Sequence, residues 1–317
     1  MKVFVRTPAR LHFGVLNPSG GSLRKYGGVG LSVDGIGYSL EGEKSDCLEI
    51  LGSTEQKERA RKIIQKISQA YDLSSEVKVK INESIPPHVG LGSTTQLSLA
   101  LGKILAILFQ KDFSTLELAK KIGRGKRSAI GTYVFDRGGL IVEGGRSGEE
   151  FPPLILRDIF PKKWRFVVAI PNVERGPEEE DEDKYFEGLE RNENISKEIC
   201  YILVLKLLPA LKRNDISDFG EALTKIDEKV GKAFSTKQGG VFGGGAVSET
   251  RDYMLDEGAY GVGQSSWGPT VYGLVKDQEE ARHLRESVEN FYREEGFLGD
   301  VLIVKPDNRG AEIKKSG

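Results

Sequence analysis

A glycine turn between a predicted strand and a long apolar helix is the feature that most constrains the fold of this 317-residue chain. Apolar residues alternate with polar ones over 77–81, which predicts a strand, and they recur at helical spacing over 97–108. The connection, Pro86 to Gln96, reads Pro-Pro-His-Val-Gly-Leu-Gly-Ser-Thr-Thr-Gln. An anion such as phosphate would sit where this turn opens the helix, because helix N-termini present unpaired N–H groups.

The residue types in this turn agree with an anion site. Gly90 and Gly92 let the backbone come close to a ligand, while Ser93, Thr94 and Thr95 offer hydroxyl and N–H groups. The same residues are also typical of an ordinary turn and helix cap. The segment is not a Walker A loop, since no Gly-Lys-Ser/Thr follows the glycines.

Length and composition indicate a folded chain with room for two domains. We find no N-terminal signal pattern, and the apolar run 97–109 is too short for a membrane span, so we expect a soluble, cytoplasmic protein. We place the domain boundary in the proline-containing segment 152–163. This boundary gives an N-terminal domain of residues 1–160 and a C-terminal domain of residues 161–317.

Charge is unevenly distributed along the chain, although the net charge is only −1. Cations exceed anions in residues 1–150, which favours this half as the home of a polyanionic small molecule. The lack of a long basic stripe argues against nucleic acid as the main partner. Two cysteines and three scattered histidines predict no zinc site, so any metal is expected to be Mg²⁺ held by oxygen atoms.

Apolar periodicity and turn residues predict the remaining elements. Strands are expected over 2–5, 31–40, 166–170, 270–275 and 300–304, and helices over 54–71, 114–122, 195–212, 216–234, 247–256 and 277–295. The glycine-rich stretch 17–30 is expected to be a connection, and the acidic segment 178–183 to be solvated.

A second polar segment follows the first predicted strand. Alternation predicts that Arg6, Pro8, Arg10 and His12 share one face of a strand while Phe13 points to the other face. A face with two arginines and a histidine either is solvated or binds a ligand.

A third segment concentrates three glycines and three cations between residues 123 and 131. Arg124, Lys126 and Arg127 suit pyrophosphate oxygens, because arginine binds such oxygens in pairs and lysine adds a point charge. Cations at this place also complement a helix C-terminus.

Two later segments, 242–246 and 261–269, are also rich in glycine. The second carries four groups that a tight turn does not require: Gln264, Ser265, Ser266 and Trp267. The alternative for this segment is a plain turn before the next strand. Arg175, just before the acidic segment, is a further candidate substrate ligand.

Taken together in order, these segments resemble the spaced motifs of the GHMP superfamily, over nearly the whole chain. Within the superfamily the chain resembles the β-ribofuranosylaminobenzene 5'-phosphate synthase family most. The segments that carry the resemblance are Ala9-Arg10-Leu11-His12-Phe13-Gly14, Tyr26-Gly27-Gly28-Val29-Gly30-Leu31, Pro87 to Gln96, Gly123 to Gly131 and Gly263-Gln264-Ser265-Ser266-Trp267-Gly268-Pro269-Thr270.

The resemblance implies a two-domain α+β fold with the active site in the cleft between the domains. It implies an enzyme of methanopterin biosynthesis, of an archaeal type, that joins phosphoribosyl pyrophosphate to 4-aminobenzoate or 4-hydroxybenzoate. CO₂ and pyrophosphate would be released, and a C-riboside would form. Mg²⁺ as cofactor and a homodimer are part of the same expectation.

Residue roles follow from the motifs. The predicted catalytic residues are Arg10, His12, Arg124 and Lys126. The predicted substrate-binding residues are Gly90, Gly92, Ser93, Thr94, Thr95, Arg127, Arg175, Gln264, Ser265, Ser266 and Trp267, with Ser93 also expected to bind the metal.

Two other functions remain open at this stage: an ATP-dependent small-molecule kinase of the GHMP type, and a non-catalytic nucleotide sensor. Kinases of the superfamily usually carry a catalytic carboxylate in a Ser-Gly-x-Asp pattern. The comparable stretch here, 128–132, reads Ser-Ala-Ile-Gly-Thr, and the nearest carboxylate beyond it is Asp136. This difference lowers the expectation of a kinase without removing it.

Overall fold

The computed structural model describes residues 1–18, 20, 23–173, 175–176, 186, 189, 192–238, 242 and 244–316. The acidic segment 178–183 and Gly243 therefore lie outside the described residues. Within the described part, every helix is too short or too polar to cross a lipid bilayer.

The strands have the following bounds: β1 Lys2–Arg6, β2 Ala9–Asn17, β3 Tyr26–Asp34, β4 Ser39–Lys44, β5 Glu49–Leu51, β6 Val77–Glu83, β7 Leu140–Glu143, β8 Leu154–Asp158, β9 Arg165–Pro171, β10 Gly261–Gln264, β11 Val271–Val275, β12 Gly299–Pro306 and β13 Glu312–Ser316. They form a five-stranded sheet in the order β13-β1-β4-β6-β5 and an eight-stranded sheet in the order β10-β11-β9-β12-β3-β7-β8, with β2 paired to β3. Among the strands that the structure describes, pairing is antiparallel except between β5 and β6.

The helices have the following bounds: α1 Thr54–Tyr71, α2 Ser93–Leu108, α3 Thr115–Lys121, α4 Ile130–Arg137, α5 Glu193–Ile202, a π-helical turn Leu203–Leu207, α6 Leu208–Arg213, α7 Ile216–Gln238, α8 Ala246–Asp256 and α9 Gln278–Glu295. Helix α2 is buried on most sides and packs on β1 and β4 and against α1, α3 and α4. Helix α7 packs on β2 and β10. These two helices flank the strands that carry the candidate site.

Elements with local signals agree with the sequence predictions. Helices α1 and α3 begin at capping boxes on Ser53 and Ser114, in which each serine and the side chain three residues later satisfy two backbone N–H groups. The predicted helix 195–212 is interrupted by the π-helical turn. Pro209 follows that turn, and a proline ring removes one donor and crowds the preceding helical turn.

The prediction for residues 17–40 was wrong in its boundaries. The single strand expected over 31–40 is two strands, β3 and β4, which are separated by a turn at Gly35 with φ of 113°. Most of β3 comes from the glycine-rich stretch that was predicted as a connection. A Cβ atom on Gly30 would lie 2.6 Å from the Leu11 carbonyl oxygen. Glycine at this position therefore lets β3 approach β2 closely and does not indicate a loop.

The polar strand predicted over residues 6–13 is also broken. Strand β1 ends at Arg6, and β2 begins at Ala9. Arg6 is exposed and pairs with Asp34 at 2.9 Å, whereas His12 is only 5% exposed. A β-bulge between His12 and Gly14 disturbs the alternation on which the prediction depended, and both His12 and Phe13 are buried.

The boundary near residue 160 stays a prediction. Within the segment 152–163, residues Leu154–Asp158 form β8, which pairs with β7. The eight-stranded sheet contains strands from both sides of residue 160, and β13 returns to pair with β1. The two halves of the chain are therefore joined by backbone hydrogen bonds.

Candidate active site

The predicted phosphate loop, Pro86 to Gln96, packs backbone to backbone against the later turn of residues 264–270. Ser265 Oγ donates a hydrogen bond of 2.7 Å to the Gly90 carbonyl oxygen, and the Thr270 N–H donates to the Val89 carbonyl oxygen at 3.4 Å. A Cβ on Gly90 would lie 2.0 Å from the Ser265 carbonyl oxygen, and one on Gly268 would lie 2.0 Å from the Val89 carbonyl carbon. Two segments about 175 residues apart thus form one junction, which requires glycine on both sides.

Strand β2 runs beside this junction and contributes two candidate residues. The Arg10 N–H donates to the Leu91 carbonyl oxygen at 3.1 Å, and Arg10 Nη1 donates to the Gly90 carbonyl oxygen at 3.0 Å. The His12 N–H donates to Ser265 Oγ at 3.0 Å. Burial, and next the neighbouring Arg10 charge, hold the pKa of His12 well below its usual value, so its imidazole is neutral at pH 7.

The hydroxyl groups at the start of α2 have close protein partners. Ser93 Oγ lies 3.0 Å from the Ile85 carbonyl oxygen, 2.8 Å from the Tyr38 hydroxyl and 3.1 Å from Arg59 Nη2. Arg59 Nη2 also donates to Thr94 Oγ1 at 3.3 Å. A guanidinium therefore lies behind the loop, and nothing in the local sequence of α1 indicated it.

These contacts do not fit the expectation that Ser93 binds Mg²⁺. A metal ion needs an oxygen lone pair, and the Ser93 oxygen already accepts from a cation and faces a second hydroxyl. Among the described residues, no group of three His, Cys, Asp or Glu side chains converges to hold a metal. A Mg²⁺ requirement of the protein stays a prediction without Ser93 as its ligand.

The cationic turn of residues 123–128 faces the same cleft as the phosphate loop. Helix α3 ends before Gly123, and both Gly123 and Gly125 have φ near +80°, which glycine adopts without strain. Arg124, Lys126 and Arg127 line the cleft together with Ser93, Thr94 and Thr95 of the loop. Two groups of predicted anion-binding residues, about 30 residues apart in sequence, therefore line one cavity.

Glu143, at the end of β7, lies beneath the cationic turn and is fully buried. Its Oε2 accepts from the Gly145 N–H at 2.7 Å, and the carboxyl group also interacts with Ser128 and the Ala129 backbone. Burial raises the pKa of Glu143 to about 7, although these hydrogen bonds oppose the rise. The acid thus links the strand to the start of α4.

We expect Glu143→Gln to change the pH dependence of stability. Because the pKa is raised on folding, the native state binds more protons than the unfolded chain between pH 4.5 and 7, and the wild-type protein loses stability as pH rises through this window. The variant lacks that loss, so its unfolding free energy relative to wild type should rise by up to about 3 kcal/mol between pH 4 and 8. Urea unfolding across this range measures the difference.

The matched control is Glu149→Gln, which removes an exposed carboxylate. Its unfolding free energy should have the same pH dependence as that of the wild-type protein. A constant difference between Glu143→Gln and wild type across the range would contradict a raised pKa at Glu143.

Four aromatic side chains also line the cleft. Phe234, on α7, lies 4.4 Å from Trp267 between ring centroids, with the rings at 74°. Phe186 lies 5.7 Å from Trp267 and 5.0 Å from Tyr26, also edge to face. We call these four residues the aromatic wall. Of the four, the sequence predictions assigned a role only to Trp267, because Tyr26 lies on β3, Phe234 lies on α7 and Phe186 follows the acidic segment, with no motif in common.

Among the described residues that line the cleft, Asp227 is the one with a carboxylate side chain. It lies two turns before Phe234 on α7, and its Oδ1 accepts from the Gln264 N–H at 3.0 Å. Burial raises the pKa of Asp227 to about 7 despite Arg251, whose Nε is 3.6 Å from Oδ2. Asp227 thereby fixes the start of the Gln264 to Trp267 turn.

The structure brings nearly all predicted site residues to this one cleft. Its lining includes Arg10, His12, Gly90, Gly92, Ser93, Thr94, Thr95, Arg124, Lys126, Arg127, Gln264, Ser266 and Trp267. Two predicted residues are not on the lining. Ser265 is fully buried and holds Gly90 and His12 in place, and Arg175 is exposed at the surface, 3.7 Å from Glu55. Asp136, the nearest counterpart of a kinase carboxylate, is also absent from the described lining.

Comparison with known proteins agrees with this architecture. Residues 58–139 match the family model of the GHMP kinases N terminal domain, and residues 207–294 match that of the GHMP kinases C terminal domain. The chain is 31% identical to beta-ribofuranosylphenol 5'-phosphate synthase of Archaeoglobus fulgidus, over 98% of this chain and 99% of the relative. It is 28% identical to the protein of the same name from Methanocaldococcus jannaschii, over 98% and 100%.

Solved structures show the same fold. The homoserine kinase of Cytophaga hutchinsonii superposes with a TM-score of 0.70 at 19% identity, over 99% of this chain and 97% of that one. The mevalonate kinase of Methanococcus jannaschii superposes with a TM-score of 0.69 at 16% identity, over 96% and 98%. The chain therefore has the two-domain α+β fold of the GHMP superfamily and belongs, within it, to the family of the beta-ribofuranosylphenol 5'-phosphate synthases.

Proposed function

We propose that this protein joins phosphoribosyl pyrophosphate to 4-hydroxybenzoate or 4-aminobenzoate, with release of CO₂ and pyrophosphate, in the biosynthesis of a methanopterin-type cofactor. The observation that carries the proposal is the composition of one cleft, whose lining combines a phosphate loop, a cationic turn and an aromatic wall. A pyrophosphate and an aromatic acid need these two kinds of surface. The names of the relatives, which contain both a phenol and a ribose 5'-phosphate, support the same choice.

The reaction is a substitution at C1 of the ribose. The bond between C1 and the pyrophosphate oxygen breaks, and its electron pair leaves with the pyrophosphate. The ring carbon that bears the carboxylate forms the new bond to C1, with electrons supplied by the para hydroxyl or amino group. The bond to the carboxylate then breaks, its electron pair restores the aromatic ring, and CO₂ departs.

The described residues contribute mainly electrostatic stabilisation and positioning. The N–H groups at the start of α2 and the cations Arg124, Lys126 and Arg127 stabilise the negative charge that grows on the departing pyrophosphate. Arg10 donates to the Gly90 carbonyl oxygen of the loop and adds positive charge to the cleft that receives the pyrophosphate, while neutral His12 offers a hydrogen bond without a net charge. The aromatic wall holds the aryl ring and excludes water from it.

We expect Phe234→Leu to weaken binding of the aryl acid selectively. The substitution removes the ring that packs on Trp267, so KM for the aryl acid should rise about tenfold while KM for phosphoribosyl pyrophosphate stays unchanged. Steady-state kinetics with each substrate varied in turn measures both constants. Phe291→Leu removes a ring stacked on Tyr253, outside the cleft, and is the matched control. Equal rises of both constants in Phe234→Leu would argue against an aryl site at this wall.

The experiment that tests the function itself combines the protein with phosphoribosyl pyrophosphate, Mg²⁺ and carboxyl-labelled aryl acid. We expect labelled CO₂ from at least one of the two acids. A kinase is the second candidate, because the solved structures with this fold include homoserine and mevalonate kinases. Formation of ADP from ATP with an alcohol, without CO₂ release, would replace our proposal by the kinase. ATP binding without any turnover would indicate a nucleotide sensor.

We propose a homodimer in the cytoplasm of an archaeal-type cell, with small molecules as its substrates. For the dimer, we expect light scattering of the purified protein to give a mass near twice 34.9 kDa.

A further inference from the structure

Arg59 contacts the phosphate loop but is not among the described residues that line the cleft. It belongs to α1, is partly buried, and directs its Nη2 at two hydroxyls in succession, Ser93 Oγ at 3.1 Å and Thr94 Oγ1 at 3.3 Å. Its Nη1 lies 3.5 Å from the Tyr38 hydroxyl. Arginine has donors only, so each of these oxygens must accept.

The hydrogen bonds of Ser93 leave its hydroxyl with no free capacity. A hydroxyl has one hydrogen and two acceptor lone pairs. The Ser93 hydrogen goes to the Ile85 carbonyl oxygen at 3.0 Å, which is shorter than the 3.4 Å from the Tyr38 hydroxyl to the same oxygen. The lone pairs then accept from the Tyr38 hydroxyl and from Arg59.

Thr94 also lines the cleft, but its hydroxyl differs from that of Ser93 in its hydrogen bonds, because the bond from Arg59 occupies only an acceptor position of the Thr94 oxygen. Arg59 donates to its oxygen from behind, so the Thr94 hydroxyl can offer its hydrogen towards the cleft. A hydroxyl that accepts from a cation and donates forward suits an anionic oxygen, since its donated hydrogen bond is strengthened by the bond it accepts. The same hydroxyl is a poor ligand for a second cation.

We propose that Arg59 is a positioning residue that makes Thr94 a hydrogen-bond donor to phosphate, and that this guanidinium supplies the positive charge which a Ser93-bound metal was expected to bring. The proposal rests on the proposed function only in naming pyrophosphate as the anion. Arg59 acts through Thr94 and through its charge, without contact with the reacting atoms.

The test is a calorimetric titration of the full chain with inorganic pyrophosphate, in EDTA and again in Mg²⁺. We expect wild type to bind in EDTA and Arg59→Met to bind at least tenfold more weakly. Arg61→Met, which removes an exposed arginine from the same helix, is the matched control and should bind like wild type. The ratio of affinities with and without Mg²⁺ should be the same in Ser93→Ala as in wild type.

A double-mutant cycle tests the route through Thr94. Thr94→Val keeps the shape of the side chain and removes its hydroxyl, so Arg59→Met should cost less affinity in the Thr94→Val background than in wild type. Arg59→Lys should retain part of the affinity, because its single ammonium keeps the charge without the two-pronged contact. It also keeps the test decisive if Arg59→Met does not fold.

Three results would overturn the proposal: wild-type affinity in Arg59→Met, equal costs of Arg59→Met in both backgrounds, or binding that needs Mg²⁺ and loses the metal effect in Ser93→Ala. The titration contains no aryl acid. Pyrophosphate binding as expected, together with no CO₂ from either acid, would refute only the proposed function.

Discussion

Gly90→Ala should lower the rate of the proposed reaction by about 100-fold or more, because misplacing the groups that position a substrate by about an ångström has an effect of this size. The new Cβ would lie 2.0 Å from the Ser265 carbonyl oxygen and 3.2 Å from the Gly268 backbone, and neither neighbour is a flexible side chain. The loop and the later turn must therefore separate. We also expect a loss of several kcal/mol in unfolding free energy, from backbone strain and overpacking together.

The control variant Gly258→Ala separates the effect of steric overlap from the effect of placing alanine at a positive φ. Gly258 and Gly90 share a φ of 89°, but no atom lies within 4 Å of a Cβ built on Gly258. This control should lose only the stability that an alanine at positive φ costs and should keep its activity. Equal kinetic effects in the two variants would show that the contact between the loop and the later turn does not matter for the reaction.

Ser265→Ala, which removes a single oxygen atom, should lower both the stability of the protein and its activity. Ser265 Oγ donates to the Gly90 carbonyl oxygen and accepts from the His12 N–H, in a fully buried position. Arg10 still donates to that carbonyl oxygen, so the main cost is the buried N–H of His12, about 2 kcal/mol of unfolding free energy. We expect kcat to fall as well, because Gly90 and His12 lose the group that aligns them.

Ser248→Ala is the control for this variant. Its hydroxyl donates to the Gly245 carbonyl oxygen on the first turn of α8, at an exposed position, so its loss should change stability by less than about 0.5 kcal/mol. Urea unfolding and steady-state kinetics of both variants give the comparison. If Ser265→Ala behaved like Ser248→Ala, Ser265 would have no positioning role.

Signals confined to a few neighbouring residues made much of the fold predictable. The capping boxes at Ser53 and Ser114 and the apolar spacing of α2 describe contacts within one element, which a sequence displays directly. Strand β3 was missed because its glycines meet atoms of other elements. Gly30 approaches Leu11 and Ile130, and no local pattern distinguishes this use of glycine from a loop.

The candidate site divides in the same way. In the phosphate loop and the cationic turn, the candidate residues are neighbours in the sequence, so each of them could be named from the sequence alone. Arg59 contacts the phosphate loop from α1, and Phe234 contacts Trp267 from α7. Neither residue could be predicted, because the local sequence of both helices shows only ordinary helical patterns. Ser265 was predicted from its motif, but its role changed, because burial between Gly90 and His12 could not be inferred from the motif.

The most direct test of the central claim is the stoichiometry of CO₂ and pyrophosphate released from carboxyl-labelled 4-hydroxybenzoate or 4-aminobenzoate. With phosphoribosyl pyrophosphate present, we predict equal amounts of both products from wild type, little of either from Gly90→Ala, and none when ATP replaces phosphoribosyl pyrophosphate. Pyrophosphate or ADP formation that proceeds without CO₂ from either acid would contradict the account.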